Sequence, residues 1–223
     1  MSEHAGKGRE GFALHRIENF SDAVFAFAVT LLVVSLEVPK SAHELFETMH
    51  GVIAFGVCFA LLVLVWVEHA RFFRHYPLTD ARTVTLNMVL LFTVLVYVYP
   101  MKFLFTMLFD QWIWSAPRAL QSVAEVRTLM IIYGLGIAAV NTVFLLMHLH
   151  ARRQRAALRL DERALVLLTA SMLRNLVTGG VALVSIMIVC FTSDTGAVSG
   201  PIYMAIGPLN YACIPLAERL HRA

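Results

Sequence analysis

Residues 16–39 read Arg-Ile-Glu-Asn-Phe-Ser-Asp-Ala-Val-Phe-Ala-Phe-Ala-Val-Thr-Leu-Leu-Val-Val-Ser-Leu-Glu-Val-Pro, and their reading decides the class of the protein. The uncharged run from Ala23 to Leu36 is too short to cross hydrocarbon, which takes about 17–25 helical residues. A span long enough runs over about Ile17–Val38 and carries Ser21 and Asp22 to, or inside, the membrane boundary. A carboxylate at that depth is expensive, so it should be paired or set in a wet cavity, and by default it marks function. The plainer reading is a carboxylate near a helix N-terminus meeting the positive dipole end, which needs no function.

Working outward, five further apolar stretches follow: Val52–Glu68, Val84–Leu108, Thr128–Met147, Ala164–Phe191 and Val198–Leu216. Long unbroken runs rather than alternation make them helices and not barrel strands. The composition agrees. The 223 residues are 59% hydrophobic and 15% charged, with a mean hydropathy of +0.71. An average soluble domain is nearer 45–50% apolar and about 25% charged, so lipid must serve as solvent for much of the surface. The spans and short loops use up the chain, which is expected to be one membrane domain, 1–223, with 1–15 as a cytoplasmic N-terminal tail. That tail has no apolar core and is no signal peptide, so the first span directs insertion.

Basic residues orient the spans. Lys7, Arg9 and Arg16 precede span one; Arg71, Arg74 and Arg82 separate spans two and three. Arg152, Arg153, Arg155, Arg159 and Arg163 separate spans four and five, and Arg219 and Arg222 end the chain. The opposite loops hold Lys40, Lys102, Arg118 and Arg127, diluted by Glu44, Glu47, Asp110 and Glu125. Both termini are therefore expected in the cytoplasm, with six spans between them. Tyr97, Tyr99, Trp112 and Trp114 form an interfacial belt at the outer end of span three. Gly196 and Gly200 permit close helix approach, and Pro208 and Pro215 are expected to kink span six, as Gly179 and Gly180 do span five.

The pattern Arg16-xxx-Phe20-Ser21-Asp22, followed by Ala-Val-Phe-Ala-x-Ala-x-Thr30-Leu31-Leu, resembles the opening helix of the bacterial relatives of transmembrane protein 175, the endolysosomal potassium channel. Trp66-xx-His69 ending span two, Asn87 early in span three and the six-span layout extend the likeness more weakly. The resemblance implies an all-α homotetramer in a bacterial plasma membrane, with first helices lining a central pore. It places a bulky apolar constriction at Phe27, Leu31 and Val34, with the Thr30 hydroxyl beside it. Spacings of three, four and seven put these four residues on one helical face, and the plain alternative is a stripe that packs on neighbouring helices. The family usually has isoleucine or leucine where Phe27 stands, so the constriction here is narrower or differently shaped. The implied function is passive conduction of monovalent cations, potassium preferred. The signature residues Arg16, Phe20, Ser21, Asp22, Trp66, His69 and Asn87 are expected to form a structural network near the cytoplasmic end, with Arg16 and Asp22 offering opposite charges. Its role would be to hold the pore helix in register.

Other functions find less support. A proton-coupled transporter using Asp22 would need a midplane site, broken helices and an internal repeat, and no repeat is evident. A non-conducting membrane scaffold would leave the stripe on span one as packing alone. Glu37 reads as an interfacial carboxylate or as a cation concentrator at the outer mouth. His148 and His150 point about 200° apart on a helix and suit shared metal ligation poorly. Glu68, His69 and His75 lack the order of a metalloprotease, and no Walker, dinucleotide or nucleophile-elbow motif occurs. No enzyme activity, cofactor, metal or nucleic-acid partner is expected. Cys58, Cys190 and Cys213, an odd count within apolar stretches, read as fillers rather than disulfides. The arginine run after span four reads as orientation signal and lipid contact. Arg174 implies that span five begins well below the membrane plane, or that the arginine has a polar partner.

Overall fold

The computed structural model describes residues 2–34, 41–113, 122–192 and 200–222, with side chains over 11–33, 41, 51–109, 122, 124–192 and 200–221. Among the described residues six α-helices follow one another: α1 Ser2–Val34, α2 Ala42–His75, α3 Ala81–Ile113, α4 Val123–Arg153, α5 Glu162–Phe191 and α6 Ile206–Arg222. No strand occurs among the described residues. Most helices overrun the apolar stretch that specifies them, because polar flanks of good helix formers continue the ladder into the interface. The polar tail expected at 1–15 is likewise helical from Ser2.

Among the described residues four helices contain runs long and apolar enough to cross a membrane: Gly51–His75, Ala81–Phe109, Ala124–Arg153 and Glu162–Phe191. Within the described residues α1 falls short because its charges run on through Arg16, Glu18 and Asp22, and α6 because it has only 17 residues. The expected sixth span needs correction. A 3₁₀ turn at Pro201–Ala205 precedes α6, which then runs past Leu216 to Arg222. Pro208 stands in the first turn of α6, where its missing N–H leaves no bond unmade; Pro215 lies inside the helix. Lys102 and Arg127, expected in loops, lie within α3 and α4. Glu37, Lys40, Trp114, Arg118 and Gly196 lie outside the described residues, as do the side chains of Val34 and Trp112.

The chain divides into two compact units, and the boundary passes through α3. The first comprises α1, α2 and α3 from Val94 onward. In α1 the buried residues are Ser21, Phe25, Ala28 and Leu32, a stripe spaced by four, three and four. In α2 the buried stripe is Ala54, Cys58, Leu62, His69, Phe72 and Phe73, ending at Tyr76 just beyond the helix. Aromatic rings run along its end: His69 to Phe73 at 4.9 Å, Phe73 to Phe72 at 5.3 Å and Phe72 to Tyr76 at 5.3 Å between centroids. Phe25 of α1 reaches the same cluster, 5.5 Å from the His69 ring.

The second unit comprises the start of α3, Ala81–Thr93, with α4, α5 and α6. Here α5 packs between α4 and α6. Lipid tails offer no hydrophobic contrast to leucine, so helices associate in membranes through close packing. Gly134 supplies it: a Cβ there would lie 2.5 Å from Ile186 Cγ1 and 3.3 Å from the Ala182 carbonyl oxygen. Helix ends are tied by polar bonds. Ser122 and Glu125 form a capping box at α4, and Asp161 caps α5 through the Ala164 amide at 2.7 Å. Arg127 donates to the Thr192 carbonyl at 3.0 Å, and Asn210 of α6 donates to Thr178 of α5 at 3.2 Å. Hydroxyls within the apolar spans bond their own helix: Thr85 to Ala81, Thr93 to Val89, Thr128 to Ala124 and Thr169 to Leu165. That geometry satisfies a donor where water is absent. Arg174 lies about 18 Å along α5 from its start, at 1.5 Å per residue, and its guanidinium donates to Ser171.

Candidate functional site

The site is built on α1. At 100° per residue, the buried stripe Ser21, Phe25, Ala28 and Leu32 lies on one side of the helix, and Phe20, Ala23, Phe27, Thr30 and Leu31 lie on the other. Within the single chain that second face is uncovered. Phe20 is 52% exposed, Phe27 56% and Leu31 40%, and Thr30 is exposed between them. Val34 continues the register in the backbone of α1. Thr30 Oγ1 donates to the Phe27 carbonyl at 2.7 Å. Its proton is thereby committed to the helix, and its oxygen lone pairs remain available on the open side.

Of the signature residues, Ser21 and His69 are buried in the first unit and Asn87 in the second, and Ser21 Oγ donates to the Ile17 carbonyl at 2.8 Å. Asp22 is exposed on the chain rather than buried, and its Oδ1 accepts from the Trp66 indole at 2.7 Å, joining α1 to α2. Arg16 does not meet Asp22; its guanidinium lies 6.0 Å from the Phe12 ring centroid. Six helical positions place Arg16 and Asp22 about 120° apart around α1, on different faces. Phe20 stays on the uncovered face.

One polar contact at the other end of α1 went unread in the sequence. Lys102 Nζ, from α3, donates to the Leu32 carbonyl at 3.3 Å. An ammonium donating to a carbonyl is a charge-assisted hydrogen bond, stronger than a neutral one. An apolar stem that carries its charge to a helix end leaves little trace in a hydropathy profile. Histidines have their own uses: Nδ1 of His75 meets the Arg71 carbonyl and Nδ1 of His148 meets the Phe144 carbonyl, each at hydrogen-bond distance. Among the described residues no three metal-ligating side chains converge.

With this geometry in view, comparison with known proteins separates the readings. A profile described as the endosomal/lysosomal potassium channel TMEM175 matches residues 16–100. A potassium channel of Marivirga tractuosa is 37% identical over 208 residues, spanning 87% of this chain and 83% of its own length. The chain belongs to the TMEM175 potassium-channel family. Solved structures agree with that membership. A variant of the potassium channel MtTMEM175, crystallised with a nanobody–MBP fusion, superposes with a TM-score of 0.81 at 34% identity, covering 92% of this chain and 93% of that one. A homologue, from Chamaesiphon minutus, of the lysosomal potassium-selective channel TMEM175 gives a TM-score of 0.56 at 25% identity, covering 94% of this chain and 98% of that one. The TMEM175 profile begins at Arg16, the first residue of the signature. These relatives are channels and not enzymes.

Proposed function

We propose that this protein is a potassium-preferring monovalent cation channel, a homotetramer in a bacterial plasma membrane whose pore is lined by α1. Each chain contributes six spans with both termini in the cytoplasm, and the two compact units belong to one channel domain. The observation that carries the reading is the uncovered apolar face of α1 at Phe27, Thr30 and Leu31, in a chain whose relatives are potassium channels. Repeated about a symmetry axis, that face makes a ring of Phe27, Leu31 and Val34, and closed cyclic symmetry is the common way to form an axial channel. A narrow apolar ring gates by dewetting, and a hydroxyl ring coordinates a partly dehydrated cation. The Thr30 hydroxyl, with its proton held by Phe27, supports that role by offering oxygen rather than hydrogen to the axis. The sequence contains no carbonyl filter of the TVGYG kind. Selectivity in this reading comes from size, dehydration and Thr30.

The test is ion flux from liposomes holding purified protein, under a potassium gradient and then a sodium gradient, for wild type and Phe27→Ala. Potassium-driven flux that rises in the variant is the expected result. Saturating, proton-coupled flux would instead identify a transporter acting through Asp22. Folded tetramer without flux would leave a scaffold.

A further inference from the structure

The turn joining α4 to α5 carries charge that conduction leaves unused. Arg152 and Arg153 close α4, Arg155 and Arg159 lie on the turn, and Arg163 stands in the first turn of α5. All five are exposed. Among the described residues none of them forms an ion pair. Asp161, the nearest carboxylate in sequence to Arg159, is committed to the α5 amide end. The turn is not a loose tether: Gln154 N–H bonds the His150 carbonyl at 3.1 Å, Leu158 N–H that of Gln154 at 3.0 Å and Leu160 N–H that of Arg155 at 3.2 Å. His150 and Ala151 are buried, which anchors the last turn of α4.

Leu149, Arg152, Arg153 and Arg155 surround an open concavity of about 510 Å³. It lies at the end of the apolar run Ala124–Arg153, whose 30 residues, at about 1.5 Å each, exceed a hydrocarbon core of about 30 Å and so reach into the headgroup region. Guanidinium groups bind phosphate through paired N–H donors, and Leu149 continues the wall with apolar surface. We propose that Arg152, Arg153 and Arg155 bind the phosphate of an anionic phospholipid, whose acyl chain leaves along Leu149. The rim is cationic, the wall beside it is aliphatic, and a lipid headgroup joins those two chemistries where a free anion supplies only one. The site rests on α4 spanning the membrane and not on conduction.

Intact-complex mass spectrometry of detergent-purified protein, titrated with dioleoylphosphatidylglycerol, dioleoylphosphatidylcholine or inorganic phosphate, tests it. Phosphatidylglycerol should bind at least about tenfold more tightly than phosphatidylcholine. A basic residue near the surface is worth about a factor of five, so replacing Arg152, Arg153 and Arg155 together by Gln should weaken phosphatidylglycerol on the order of a hundredfold. The triple Arg→Lys variant, which keeps the charge if the Gln variant folds poorly, should hold an intermediate affinity. Wild-type affinity in both triple variants would overturn the proposal. So would inorganic phosphate displacing the lipid at equal concentration, which would mean a free-anion site, or an equal loss from Arg71→Gln with Arg74→Gln, which would mean net charge alone. Absent flux in the liposome assay would sink the channel reading and leave this binding untouched.

Discussion

Trp66 Nε1 donates to Asp22 Oδ1 across 2.7 Å, fastening the start of the apolar run of α1 to α2. A net intramolecular hydrogen bond contributes about 0.5–1.5 kcal/mol, and this one joins two helices. Asp22→Ala should therefore lower the yield of assembled protein and its thermal midpoint, with little change in ion preference. Trp66→Phe should reproduce much of that loss, since it keeps the ring and deletes only the donor. Size-exclusion yield read beside the potassium/sodium reversal potential checks both. Normal assembly with altered preference in Asp22→Ala would place the carboxylate in the ion path.

Lys102 of α3 meets α1 at Leu32. Its ammonium donates to the Leu32 carbonyl at 3.3 Å, and a net intramolecular hydrogen bond contributes about 0.5–1.5 kcal/mol. Lys102→Met keeps the length and apolar stem but removes the donor and the charge. Hydrogen exchange of the amides at 29–34 should accelerate about fivefold, from a loss of about 1 kcal/mol in local stability. Lys102→Arg should restore most of the protection. Unchanged exchange in Lys102→Met would show that the contact does not hold the helix end.

Helical period in residues 16–39 separates Phe25 from Phe27, but which of the two faces is buried within the chain is seen only in the structure. The family followed from the signature that begins at Arg16. What the sequence hid were partners far along the chain. Opposite charge suggested Arg16 for Asp22, yet the hydrogen bond comes from an indole 44 positions away, and no local rule selects it. Charge counting placed Lys102 in a loop, although α3 runs on to Ile113 around it. The start of the last helix was obscured because Gly200-Pro201 suits a tight 3₁₀ turn as well as a span boundary.

Gly134 was also silent in the sequence, since nothing around it marks a close approach. In the structure Ile186 and the Ala182 backbone fill the space that a side chain would need. Overpacking a tight helix contact costs about 1–3 kcal/mol. Gly134→Ala should lower the thermal midpoint of the purified protein by several degrees. Gly134→Ala combined with Ile186→Val should recover part of it, since that change deletes Cδ1, 2.9 Å away, and leaves a smaller side chain to shift. A midpoint unchanged in Gly134→Ala would mean that α4 and α5 slide apart at little cost.

Thr30 carries the most specific expectation for the proposed pore. Its hydroxyl proton lies on the Phe27 carbonyl, so the oxygen can face a cation without reorienting. Thr30→Ser preserves that oxygen and should keep the preference for potassium. Thr30→Val keeps the shape and removes the oxygen. In the proposed tetramer, replacing one ligand per subunit should change the potassium/sodium permeability ratio about fivefold, equivalent to roughly 1 kcal/mol in ion stabilisation. Bi-ionic reversal potentials in planar bilayers read the ratio directly. Equal ratios in Thr30→Val and wild type would move selectivity from the hydroxyl to the apolar ring of Phe27 and Leu31, whose width would then discriminate ions by the cost of dehydration alone.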